Sequence, residues 1–297
     1  MSTAFIFPGQ GGQFIGQGGV WVDRDPALAD VLKMAEDLSG RPISRLCFEG
    51  PQDELSKTVN LQPAVLAVSL IALRLMKKEA SPSFAAGHSL GEFGALCAAG
   101  VFDEATALAL VAKRAVIMDE VAAKNPGAML AVLGLPAAEV ENICELARNE
   151  GKISAANFNT PEQTVISGES KAVAAAGKYV KMKSGKAIPL PVSGAFHSEL
   201  MLEATERFAE ELEKADFKTP VCPVLPNGLG EPVSDPAEIK ARLKTQITSP
   251  VLWTKTVDSM LSAGVTGFIE AWPKLYLGSM VKKCLPKGSP ASITFPA

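Results

Sequence analysis

Gly87-His88-Ser89-Leu90-Gly91 constrains this chain more than any other stretch, because a short apolar run (Ser83 to Gly87) meets a helix-forming one (Glu92 to Ala99) with almost no residues between. A strand that passes so abruptly into a helix must turn on a single residue. Glycines two positions either side of the serine remove the side chains that would collide across such a turn. The pattern predicts a buried strand, a tight elbow with Ser89 at its tip, and a helix whose first N–H groups face the same space. Strand, turn and helix in that order imply an α/β core built on a parallel sheet.

The rest of the chain fits around that unit. Ala4 to Phe7 reads as a first core strand ending at Pro8 and Gly9, and the following GQGGQ allows the backbone to approach a ligand closely. Asp25 is placed to cap a helix that carries Pro26 at its first position, has Leu28, Val31, Leu32, Ala35 and Leu38 on one face, and stops at Gly40. A second helix, Gln62 to Lys78, is apolar nearly all round and belongs inside the protein. Between Gly127 and Val192 the elements alternate as strand (Ala128 to Leu135), helix (Ala137 to Asn149), strands ISAANF and TVISG, helix (Lys171 to Lys183) and strand AIPLPV. That βαββαβ order is the signature of a ferredoxin-like unit. The expected division is a core of residues 1–125 and 195–297 carrying an inserted small lobe, 126–194. A helix from Glu199 to Ala215 then returns the chain to the core.

Charge and composition remove several classes of function. Lys and Arg total 29 against 32 Asp and Glu, a formal charge of −3, so no nucleic acid partner is expected. The longest apolar stretch, Ala64 to Met76, is broken by Ser69 and Arg74 and falls short of the roughly 18 residues a membrane span needs. No membrane association is expected. MSTAFIFPGQGG lacks the features of a secretion signal. Five widely spaced cysteines without a CxxC pair point to neither a disulfide framework nor a zinc site, and the expectation is buried thiols in a cytoplasmic protein.

The chain has two histidines, His88 and His197. A base that titrates near neutral pH must be one of them. His88 adjoins Ser89, and neighbours on a sharp turn point apart, which leaves His197 as the base for Ser89. A serine nucleophile also needs donors for the oxyanion it creates. The backbone N–H of Leu90, directly after the serine, is one; the N–H of Gln10, in the GQGGQ turn, is the other.

FPGQGGQ (Phe7 to Gln13), LQPAV around Gln62, GHSLGEF, KRAVIM around Arg114, GAMLAVLGL (Gly127 to Leu135), NFNTPEQTVISG (Asn157 to Gly168), GAFHS (Gly194 to Ser198) and QITSPVLW (Gln246 to Trp253) follow one another along almost the whole chain. In this order they resemble the malonyl-CoA:acyl carrier protein transacylase family. The resemblance implies an α/β-hydrolase-like core with a ferredoxin-like insertion. It implies that Ser89 is acylated, that His197 is its base, and that Gln10 and Leu90 form the oxyanion hole. Arg114 would grip the free carboxylate of a malonyl group, Phe196 would favour malonyl over branched substrates, and Gln62, Asn157 and Asn159 would line or brace the cleft. No triad acid is expected: a backbone carbonyl before SPV, at Gln246, would orient the histidine.

The family likeness implies malonyl-CoA and acyl carrier protein as partners, without a metal or redox cofactor, and a monomer is the default. Lys171, Lys178, Lys181, Lys183 and Lys186 form a basic face on the small lobe, either a solvated helix surface or a contact for an acidic carrier. Met118 and Met129 are expected as core or cleft packing. Alternatives are a malonyl transferase serving a polyketide synthase or malonate decarboxylase carrier, a serine thioester hydrolase, and a non-catalytic carrier-binding subunit. One segment departs from the family pattern: EAWPKLYLG, Glu270 to Gly278, stands where relatives carry a flexible Gly-Pro-Gly turn.

Overall fold

The computed structural model describes residues 2–297. Its strands are β1 (Ser2–Phe7), β2 (Phe84–Gly87), β3 (Ala128–Leu133), β4 (Ile153–Thr160), β5 (Gln163–Gly168), β6 (Lys186–Pro189), β7 (Val224–Leu225), β8 (Val265–Glu270) and β9 (Ser292–Thr294). They form two sheets, one of order β7-β2-β1-β8-β9 and the other β4-β5-β3-β6. Every pairing in the five-stranded sheet is parallel. In the register of β1 and β2, Phe7 lies opposite Gly87. The GQGGQ turn and the serine elbow therefore leave adjacent strands side by side, at the carboxyl edge where open α/β sheets form their binding crevices.

The helix Thr58–Glu79 begins four residues before its expected start, so it is longer than the apolar run suggested. By length and composition it could cross a membrane, with a best-window mean hydropathy of 1.6, yet 83% of that window is buried inside the fold. Its apolar girth is satisfied by protein. The helices Gly91–Ala98 and Glu104–Lys124 follow the elbow; the second starts at Asp103, whose carboxylate accepts the N–H of Thr106 at 2.7 Å.

The four-stranded sheet is antiparallel throughout, and the chain runs through it as strand, helix, strand, strand, helix, strand. Helices Ala137–Ala147 and Ser170–Met182 pack on it through Val140, Ile143, Cys144, Val173, Ala176 and Val180. This is the ferredoxin-like arrangement. β6, an edge strand, stops at Pro189 rather than running to Val192, since neither Pro189 nor Pro191 after it can donate to a ladder. The helix expected from Glu199 opens as a 3-10 turn, Glu199–Met201, and becomes α-helical at Leu202–Glu213.

Candidate active site

Ser89 sits at the tip of the elbow with φ of 51°. A side chain at Gly87 would run into the backbone of Gly91, and one at Gly91 into the carbonyl of Phe7, so the glycines are needed for elbow and strand to approach. Of the three described non-glycine residues with positive φ, one is Ser89 and another is His197, at 58°. Such conformations cost about 1–3 kcal/mol each and persist where the surroundings impose them. Here they bring together two side chains that are 108 positions apart in sequence: Ser89 Oγ lies 2.8 Å from His197 Nε2.

The other imidazole nitrogen faces two carbonyls. His197 Nδ1 is 2.8 Å from the oxygen of Ser249 and 3.2 Å from that of Gln246. Two acceptors there require the proton on Nδ1, which leaves Nε2 free to accept the serine proton. Gln246 thus supplies a carbonyl at the expected position, but the nearer acceptor is Ser249. His197 is buried, and burial first, then the charge of Arg114, lowers its pKa to about 3. The imidazole is accordingly neutral in the free protein at physiological pH.

Arg114, on the helix Glu104–Lys124, is 1% exposed. Nη1 donates to Gln62 Oε1 at 2.7 Å and Nη2 to Gln246 Oε1 at 3.0 Å; Nη2 is also 3.4 Å from Ser89 Oγ. Nε has no partner, and among the described residues the guanidinium makes no ion pair. Burial lowers its pKa to about 10, which still leaves it charged. A buried cation held by neutral amides retains much of its desolvation penalty, so an anion entering beside it is strongly favoured.

The nearest buried acid is Glu92, in the first turn of the helix after the elbow, raised by burial to about 7. It reaches Arg114 only through Gln246, whose Nε2 donates to Glu92 Oε2 at 3.0 Å and to the Ser89 carbonyl at 2.9 Å. The Gln246 side chain therefore does more than its expected backbone role: it links acid, elbow and guanidinium. Asn227 completes the set. Its Nδ2 donates to the Gly87 carbonyl and its Oδ1 accepts the Ser89 N–H, both at 2.6 Å.

Ser89, His197, Arg114 and Gln62 line one cleft, and Glu92, Gln246 and Asn227 lie behind its wall. Gln10, Leu90, Met118, Met129, Asn157 and Phe196 share its wall. The N–H groups of Gln10 and Leu90 have no hydrogen-bond acceptor among the described residues, as donors held for an incoming oxygen would. His88 lines the cleft but turns its ring to Asn159, Nε2 to Oδ1 at 2.8 Å, and away from Ser89. The small lobe contributes Met129 and Asn157, so the cleft lies between the two sheets.

EAWPKLYLG packs against the GQGGQ loop beside the site. The carboxylate of Glu270 accepts the N–H groups of Tyr276, Leu277 and Gly278 at 2.7–3.0 Å and so caps the helix Leu277–Cys284. Trp272 is buried in the core, and the Tyr276 ring lies on Gly11 and Gly12 with its hydroxyl 3.4 Å from the Gln10 carbonyl. The segment thereby sets an aromatic brace on the GQGGQ loop.

Lys171, Lys178, Lys181, Lys183 and Lys186 are all exposed, and Lys183 pairs with Glu139. Glu92, Asn227 and Ser249 are the site members the sequence reading missed. Glu92 looks ordinary because an acid in the first turn of a helix is common. Asn227 stands in Pro-Asn-Gly, which reads as a turn, and a backbone carbonyl such as that of Ser249 has no side-chain signature.

Residues 4–293 match the family described as the acyl transferase domain. A malonyl CoA-acyl carrier protein transacylase of Bacillus subtilis (strain 168) is 41% identical over 283 residues, 94% of this chain and 89% of that protein. The crystal structure of an acyl-carrier-protein-S-malonyltransferase from Bartonella henselae is similar with a TM-score of 0.95 at 36% identity, covering 100% of this chain and 96% of the other. A malonyl-transacylase in complex with its type II PKS acyl-carrier protein gives 0.93 at 34% identity, over 99% and 95%. The serine elbow, the distant histidine and the full-length likeness lead to one conclusion: the chain belongs to the malonyl-CoA:acyl carrier protein transacylase family of acyl transferases.

Proposed function

We propose that this protein moves a malonyl group from malonyl-CoA to the phosphopantetheine thiol of an acyl carrier protein, through a malonyl ester on Ser89. One observation carries the reading: the 2.8 Å pair of Ser89 Oγ and His197 Nε2 shares its cleft with a buried guanidinium that has no carboxylate partner, 3.4 Å from the same Oγ. His197 Nε2 takes the serine proton as Oγ attacks the thioester carbon. The oxyanion that forms is held by the N–H groups of Gln10 and Leu90. On collapse the C–S bond breaks, and the coenzyme A thiolate takes the proton from His197.

The carrier thiol then gives its proton to Nε2 and attacks the ester carbonyl, and Ser89 leaves with that proton restored. In the ester intermediate the malonyl carboxylate carbon is three bonds from Oγ, within reach of Arg114. An acetyl group would leave the guanidinium without an anion, and this difference favours malonyl. Phe196, Gln62 and Asn157 shape and brace the malonyl end of the cleft. No step passes through a metal or redox cofactor, and the protein acts in the cytoplasm as a monomer with a core of 1–125 and 195–297 and a small lobe of 126–194.

Incubation with malonyl-CoA and holo carrier protein, followed by mass spectrometry of the carrier, tests the proposal. Malonyl on the carrier is the expected product. Free malonate at the same rate with or without carrier would establish a hydrolase, and no turnover of malonyl-CoA would leave a binding subunit. Because one similar solved structure pairs a malonyl-transacylase with a type II PKS acyl-carrier protein, a polyketide carrier belongs beside a fatty-acid carrier in the assay.

A further inference from the structure

The backbone of the elbow leaves one group for the substrate and holds the rest. From His88 to Leu90, the His88 N–H donates to the Phe7 carbonyl, the His88 carbonyl accepts from Gly91, the Ser89 carbonyl accepts from Glu92 N–H and Gln246 Nε2, and the Leu90 carbonyl accepts from Phe93. The Ser89 N–H goes to Asn227. Leu90 N–H alone in this run lacks an acceptor among the described residues. Ser89 C=O and Leu90 N–H belong to one planar trans peptide, so anchoring the carbonyl on one side aims the N–H to the other. The orientation of this oxyanion donor therefore depends on what fixes the peptides around Ser89.

We propose that Asn227 is the positioning residue that fixes the two peptides leading into Ser89, Gly87–His88 and His88–Ser89, on which the next peptide, held by Gln246 and the Glu92 N–H, is built. Its amide bridges the Gly87 carbonyl and the Ser89 N–H at 2.6 Å each, spanning His88 and replacing the neighbouring-strand partners that a residue with φ of 51° cannot reach. A carboxylate could accept from Ser89 but not donate to Gly87; a hydroxyl could not span both. Asn227 is 2% exposed and follows β7, the neighbour of β2 in the sheet, and its own N–H donates to Glu92 Oε2 at 3.3 Å. Because Glu92 also accepts from Gln246 Nε2, the two amides that hold the peptides of Ser89 share one carboxylate. Asn227 acts through Ser89 and Leu90 and touches no reacting atom itself.

The inference rests on the acyl-serine reading, and its test keeps the two apart by using two reagents on Ser89: malonyl-CoA, and a neutral fluorophosphonate that needs neither Arg114 nor a carrier. Asn227→Ala is expected to slow both labelling reactions in parallel, by roughly 10- to 100-fold, the range that follows when a reacting atom is displaced by about 1 Å. KM for malonyl-CoA should stay within about twofold, since Arg114 and the cleft wall are unchanged. Asn227→Asp, which keeps the acceptor and loses the donor, should fall between wild type and Asn227→Ala, and it serves as the test if the alanine variant does not fold. Labelling at the wild-type rate in either folded variant would overturn the proposal, as would a loss no larger than the measured fall in folded fraction. If the wild type reacts with the fluorophosphonate but not with malonyl-CoA, the malonyl reading fails while the fluorophosphonate arm still decides the role of Asn227.

Discussion

The small-lobe sheet and the carboxyl edge of the parallel sheet are built by opposite rules. In the small lobe, apolar residues at helical spacing on Ala137–Ala147 and Ser170–Met182 cover an antiparallel sheet and form a core of their own. At the serine elbow local preference is overruled: Ser89 and His197 adopt positive φ, Arg114 is buried without an anion, and Glu92 is buried beneath a glutamine. Consistency across levels marks the part of a fold that is only structure, and clustered exceptions mark the part where chemistry is done. If that contrast is right, substitutions at the elbow should change rates with little loss of stability, and substitutions in the small-lobe interior should do the reverse.

The largest effect is expected at His197. His197→Ala should lower acylation of Ser89 by on the order of 10³-fold or more, because a serine without its base is a poor nucleophile. Stopped-flow release of coenzyme A measures it, and a loss under tenfold would move the base elsewhere. Next in size, Arg114→Ala should cut the malonyl-over-acetyl preference by about 100-fold or more, as a site built for a polar group loses its selectivity when the partner is removed. Arg114→Lys should restore little of it, since an ammonium cannot bind Gln62, Gln246 and a carboxylate in one plane. Equal losses with both acyl groups would break the assignment.

On the other side of the comparison, Ile143 is fully buried in the small lobe. Ile143→Ala should cost about 2–5 kcal/mol of stability in urea denaturation, while acylation per folded molecule stays within about twofold. A tenfold fall in that rate would show that the small-lobe interior is coupled to the elbow.

The smallest effect concerns pH. His197 is held at about 3 by burial and by the Arg114 charge, and the imidazole is an active base only above its pKa. The acid limb of kcat/KM, which reports the free enzyme, should therefore lie below the ordinary histidine range. A bound malonyl carboxylate offsets Arg114, so the limb in kcat should lie higher. Arg114→Ala should raise the limb of kcat/KM, and a downward shift would contradict the electrostatic account.

Much of this contrast was legible in the chain. The elbow could be read because GxSxG between an apolar run and a helix leaves few other conformations, and His197 because the chain offers two histidines and the other adjoins the serine. The small lobe was legible because hydrophobic periodicity switches between strand and helix several times in about 65 residues. Asn227 and Glu92 were not, since their partners lie 135 to 154 positions away and each has an ordinary local explanation as turn residue or helix-start acid. The start of Thr58–Glu79 was also hidden, because Thr58 and Asn60 are polar yet buried. The Tyr276 brace could not be foreseen because it depends on an aromatic side chain meeting a glycine loop at the far end of the chain.

The central claim is that Ser89 carries the acyl group. Peptide mapping by mass spectrometry after brief exposure to malonyl-CoA, without any carrier, tests it most directly. A malonyl ester on the peptide containing Ser89, absent in Ser89→Ala and discharged when holo carrier is added, is the predicted result. A Ser89→Ala protein that still transfers malonyl at the wild-type rate, or an adduct borne by another residue, would contradict it.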